Sequence, residues 1–161
     1  EAGPIKAKVV SQESAHPYPN SANDLNALEL PDGAKKMVVW FDPKSSTEQN
    51  YDFVRFYKGE DRGEYWGNEK YTGRATEGSK NWPTFAQPLE IDAGKCWVHF
   101  FSDGSNNDWG YALNAASPEV YKQITDASKS SREALEAKVE SREAELKEWS
   151  KVQSFWRLTH M

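Results

Sequence analysis

Four acidic residues stand where strand-like segments end or begin: Asp42, Glu48, Asp52 and Asp103. Asp42 closes "KKMVVWFD", Glu48 lies in the turn that follows, Asp52 opens "YDFVRFY", and Asp103 follows "GKCWVHFF". The loop after Asp103, "SDGSNNDWGY", adds Ser105 and Asn106. Carboxylates gathered without a cation repel one another and shift one another's pKa. A hard cation such as Ca2+ relieves that strain by accepting six to eight oxygens in loose geometry. Two readings stand at this point: a calcium site, or ordinary turn acids of the kind common at strand ends. An EF-hand does not fit, because Asp108 stands where its turn glycine would fall and Asn114 where its terminal Glu would.

Other chemistry is poorly supported. The three histidines, His16, His99 and His160, fall at no metal-ligand spacing, and His99 reads as a strand residue with a satisfied ring. The only cysteine, Cys96, excludes thiolate zinc sites and CxxC redox chemistry. Nucleophile-elbow, P-loop and dinucleotide-binding fingerprints are missing, so no enzyme activity is expected. The formal charge of −5 argues against nucleic acid as a partner. A membrane-spanning helix needs about twenty consecutive apolar residues, and no stretch supplies them.

The elements that would position the acids are short. Gly, Pro and aromatic residues punctuate the first 117 positions, and the strongest strands are Lys35 to Asp42, Tyr51 to Tyr57 and Gly94 to Phe101. Leu25 to Leu30 and Trp109 to Ala115 read as further strands, and Pro88 to Asp92 as a weaker one. Several short strands with turns between them predict an antiparallel β-sandwich, whose loops cluster at its ends. Lys58 to Pro88 reads as a long irregular stretch in which Trp66, Tyr71 and Trp82 form either a mini-core or an exposed platform for carbohydrate. After Ser117-Pro118 there is no Gly and no further Pro, and the pattern becomes helical, with an N-terminal cap expected at Ser131. Leu135, Val139, Leu146, Trp149, Val152 and Trp156 recur at helical spacing, interrupted by Arg142. Together with Phe155, the residues Leu146, Trp149, Val152 and Trp156 form a candidate partner-binding face. A seam of two heptads is marginal for an isolated coiled coil, which favours docking on another surface.

The segment from Ser14 to Tyr57, with its HPYPN opening and D-F-apolar-x-aromatic strand, resembles the first half of a CUB domain. "CWVHFFSDGSNNDWGYALNA" is similar to that family's closing pattern of apolar strand, SD, loop and Gly-aromatic. The resemblance implies a CUB-like jelly-roll over residues 14–116, between an N-terminal arm (1–13) and a helical tail (117–161). It also implies calcium at one end of the sandwich, with Asp52 and Asp103 as ligands and either Asp42 or Glu48 as the third acid. Ser105 and Asn106 are the candidate loop ligands. The implied role is a non-catalytic protein-interaction module, serving as a structural or adaptor subunit of a larger assembly. Family members are usually extracellular and disulfide-bonded, whereas the single Cys96 favours an intracellular setting, as in disulfide-poor modules of large intracellular eukaryotic proteins. The chain opens on Glu1 rather than Met, as expected of a processed protein or a part of a longer one.

Overall fold

The computed structural model describes residues 5–74 and 80–159. His160, the arm's first four residues and part of the long stretch before Pro88 lie outside the described residues. After a 3-10 turn at Ile5–Lys8 come eight strands: β1 (Val10–Glu13), β2 (Asn23–Glu29), β3 (Met37–Phe41), β4 (Phe53–Tyr57), β5 (Tyr65–Tyr71), β6 (Leu89–Ile91), β7 (Lys95–Phe101) and β8 (Ala112–Ala116). They form two antiparallel four-stranded sheets, ordered β1-β8-β3-β6 and β2-β7-β4-β5. This is the expected sandwich. The chain divides into two units, Glu1–Tyr121 and Lys122–Met161.

Alternation along the strands builds the core between the sheets. Val54 and Phe56 of β4, with Cys96, Val98 and Phe100 of β7, are buried on one side, and Val39, Phe41, Leu113 and Ala115 on the other. Phe41 is a hub: its ring centroid lies 5.0 Å from that of Trp82 and 6.1 Å from that of Phe56. Burial pushes the Cys96 thiol up to about 12, so it behaves as a small core hydrophobe.

Three features differ from the sequence reading. Val10–Glu13, counted within the arm, is a strand paired with β8 from Val10↔Ala115 to Glu13↔Ala112. Within Lys58 to Pro88, Tyr65–Tyr71 is a strand on β4, with a register shift between Val54 and Phe56. Gly67, inside this strand, adopts φ +69°, and a glycine there weakens the strand pattern in the sequence. The long helix α1 (Pro118–Thr159) starts earlier than its expected cap at Ser131, which lies inside it. Ser117 is the cap: its Oγ accepts the Val120 N–H at 3.2 Å, and Pro118 occupies the first turn, where a missing N–H costs nothing. Val120 is buried, and the Tyr121 ring packs on Phe85 and Trp40 with centroids 4.9 and 5.8 Å apart.

Candidate functional site

Adjacent strands and two loops bring three of the four expected carboxylates together. Ligand oxygens of Glu48, Asp52 and Asp103 all lie within 4.8 Å of one another. The pairing Phe53↔Phe101 sets the register of β4 against β7. It puts Asp52, one residue before β4, beside Asp103, two residues after β7. Glu48 arrives from the preceding turn, whose backbone returns through the Asp52 N–H to Glu48 O bond at 3.1 Å. Asp42 is not in the cluster. Its Oδ1 accepts the Lys44 N–H at 2.8 Å, so it closes its own turn. Between the two acids left open as the third ligand, the geometry brings in Glu48.

Asp52 is fully buried. Its Oδ2 accepts the Tyr18 hydroxyl at 2.6 Å and its Oδ1 the Asp103 N–H at 2.8 Å. Burial nevertheless pushes its carboxyl above the usual range, with the Asp103 charge adding to the rise and the two hydrogen bonds opposing it. Burial and the bond to Asp52 likewise push the Tyr18 phenol well up. Glu48 is held at one oxygen only: Oε1 accepts Asn106 Nδ2 at 3.0 Å, while Oε2 is buried without a hydrogen-bond partner among the described residues. A buried carboxylate oxygen with no donor is costly unless a cation meets it. The donor set is therefore one that a hard cation fits: three carboxylates, one strongly desolvated and one with an unsatisfied oxygen.

The SDGSNND loop is fastened around this cluster. Asp103 Oδ1 accepts the Ser105 N–H at 3.1 Å, and Asn107 Nδ2 donates to Tyr18 O at 2.6 Å. Asn106, at φ +61°, directs its side chain to Glu48, while its carbonyl accepts Arg74 Nη2 at 3.4 Å. Arg74 Nε lies 3.3 Å from Asp108 Oδ2, and its charge partly offsets the acidic field at Asp52. Gly110 closes the loop at φ +107°, where a Cβ would fall 2.1 Å from Ser14 Oγ. Asn106 thus reaches the acids through its side chain, and Ser105 through its backbone N–H.

Sequence reasoning passed over Tyr18, Thr47 and Thr72. The Thr47 and Thr72 hydroxyls both donate to Asp52 O, at 2.9 and 2.6 Å. The YPN of the opening motif was the available signal for Tyr18; nothing marks the two threonines in advance.

The aromatic residues of the long stretch do not form a sugar platform. Tyr71 and Trp82 are core residues at 4% and 8% exposure, and Trp82 Nε1 donates to Gly73 O at 3.1 Å. Trp66 is half-buried, with Lys58 Nζ 4.4 Å above its ring. Of the two readings of these rings, Tyr71 and Trp82 therefore follow the mini-core one, because the interior gains more from burying them than the surface does from showing them.

His99 is half-satisfied rather than satisfied. Its Nε2 lies 2.7 Å from Asn23 Oδ1, while Nδ1 is buried without a partner among the described residues. Burial, reinforced by the charges of Arg62 and Arg55, lowers its pKa to about 4. His16 stacks on Trp109 at 3.8 Å and meets Glu13 Oε2 at 3.0 Å, so it ties the HPYPN segment to the far side of the loop.

On the second unit, Leu146, Trp149, Val152, Phe155 and Trp156 are all more than half exposed along α1. No helix among the described residues is long and apolar enough to cross a membrane.

No family model matches the chain. Among curated proteins, the zinc finger ZZ-type and EF-hand domain-containing protein 1 of Mus musculus is 32% identical over 111 residues, covering 67% of this chain and 3% of that protein. The Homo sapiens E3 ubiquitin-protein ligase HERC2 is 27% identical over 111 residues, covering 69% of this chain and 2% of its own length. The chain thus spans about 3% or less of the curated relatives it matches. Among solved structures, the Ca2+-bound CUB2 domain of MASP-1 superposes with a TM-score of 0.51 at 18% identity, covering 68% of this chain and 93% of that one. The human MASP-1/3 CUB1-EGF-CUB2 structure gives 0.52 at 20% identity, with 68% and 39% covered. Two antiparallel four-stranded sheets with these neighbours give the chain a CUB-like sandwich fold, followed by a C-terminal helix.

Proposed function

We propose that the chain is a non-catalytic, calcium-binding protein-interaction module, a structural or adaptor subunit of a larger assembly to which its C-terminal helix is the tether. The carrying observation is the meeting of Glu48, Asp52 and Asp103 around a carboxylate oxygen that meets no donor among the described residues. Those three residues would hold the ion, with Asn106 and Ser105 at the rim and water completing the shell. Calcium there neutralises the acids and fixes their orientation, and a pre-oriented carboxylate is a ready acceptor for a basic side chain of a partner. That one CUB structure similar to this chain was solved bound to Ca2+ supports the reading. The single cysteine favours an intracellular setting.

Thermal melts with calcium and with chelator test the ion. Calcium should raise the melting temperature of the wild-type chain and leave Asp103→Ala unmoved, since a ligand selective for the folded state stabilises by mass action. Equal melts for the wild type in both conditions would sink the calcium reading. Truncation before Ser128 tests the tether: assembly should be lost while the sandwich still melts cooperatively.

A further inference from the structure

The exposed stripe of α1 follows a seven-residue repeat more closely than the 3.6-residue repeat of a helix docked on a flat surface. Leu135, Val139, Arg142, Leu146 and Trp149 are spaced four, three, four and three, and Trp156 falls seven further on. Such a repeat keeps its seam toward a second helix that supercoils with it. Leu135, Val139, Leu146 and Trp149 are each at least half exposed.

Charge along the helix identifies what covers that seam. Residues 130–145 carry five glutamates against three cations, whereas residues 146–159 carry Lys147, Lys151 and Arg157 against Glu148 alone. The first half is acidic and the second basic. Two copies side by side in the same direction would set like halves against like and stack Arg142 on Arg142. Two copies in opposite directions set the net-acidic half against the net-basic half, except at the centre, where Glu145 meets its own copy. In that register Leu146 of one copy faces Arg142 of the other, Val139 faces Trp149, and Glu145 lies next to the opposing Arg142. A uniformly anionic surface, such as a lipid headgroup layer, would repel the first half.

We infer that α1 pairs with a second copy of itself, antiparallel, through the Leu135 to Trp149 seam. This rests on the reading of the tail as a contact surface and names its occupant. Two heptads make the pairing weak, and it is salt-sensitive because the attraction between the halves is screened within about 10 Å at moderate ionic strength.

Sedimentation velocity on the full chain, over a concentration series reaching high micromolar, tests the inference. A concentration-dependent dimer is expected, weakened by salt and abolished by Trp149→Glu; calcium-dependent melting should persist in that variant, since Trp149 is exposed. Direction is read from disulfide formation, Cys96 being buried. Antiparallel pairing sets position 145 next to its own copy, so Glu145→Cys should cross-link with itself, and Leu146→Cys should not. A chain that stays monomeric throughout, a dimer that survives Trp149→Glu, or self-cross-linking through position 146 instead of 145 would each overturn it. A chain that is monomeric and floats with phosphatidylserine vesicles would overturn it in favour of a lipid surface. None of these failures touches the truncation result, which tests the tether separately.

Discussion

The Tyr18 hydroxyl lies 2.6 Å from Asp52 Oδ2 and 3.2 Å from the Glu48 amide nitrogen, so one phenol joins two of the three clustered acids. It donates to the first and accepts from the second. Tyr18→Phe keeps the ring against Phe100, where the centroids are 5.3 Å apart, and removes only these two bonds. Leaving a buried carboxylate oxygen and an N–H unpaired should cost about 1–3 kcal/mol in chemical denaturation. Calcium affinity should fall as well, because Asp52 and Glu48 lose their common anchor. Wild-type stability in Tyr18→Phe would show that the phenol does not organise the cluster.

Calcium binding should be pH-dependent. The Asp52 carboxyl is raised by burial, so a fraction of sites is protonated at pH values where an exposed aspartate is fully ionised. An ion must displace that proton. Affinity should therefore fall as pH falls toward the ordinary carboxylate range, and protons should be released on binding. Titration in buffers of different ionisation enthalpy measures the release. Identical affinity and no proton release at mildly acid pH would contradict this account of Asp52.

His99 sets a separate acid sensitivity. Its folded-state pKa of about 4 lies below the ordinary 6.5, so the unfolded chain takes up the proton more readily. Its neutral form supports the fold fully above pH 6.5, and that support is lost as pH falls toward 4. His99→Phe, among Phe53, Tyr57 and Phe101, should flatten the fall in melting temperature across this window. An unchanged slope would mean that other groups carry the acid response.

The sandwich was legible because β3, β4 and β7 are dense in β-branched and aromatic residues with clear turns at both ends. β5 was not, since a glycine at positive φ and three polar or charged neighbours hide a strand that is held by pairing with β4. The helix and its start near Ser117 were legible from the loss of Gly and Pro, but its cap was not. Ser131 has the composition of a cap, while Ser117 has the position, fixed by Val120 and Tyr121 packing on the sandwich. Asp52 and Asp103 could be paired from their places at strand ends. Choosing Glu48 over Asp42 required the turn geometry, which spacing does not encode.

Trp82 separates packing from recognition. Its ring is 5.0 Å from Phe41, and Trp82→Ala should cost about 3–5 kcal/mol through the cavity left between the sheets. Urea denaturation checks this. A variant of unchanged stability that loses binding on a glycan array would restore the sugar reading.

The central claim is tested most directly by calorimetric titration of calcium into the full chain, beside Glu48→Gln and Asp103→Asn. Asp103→Asn keeps the backbone N–H that bonds Asp52, so any loss belongs to its carboxylate. The account predicts one saturable calcium site in the wild type, weakened at least tenfold, about 1.4 kcal/mol, in each variant. No saturable heat at millimolar calcium, or equal binding in all three chains, would contradict it.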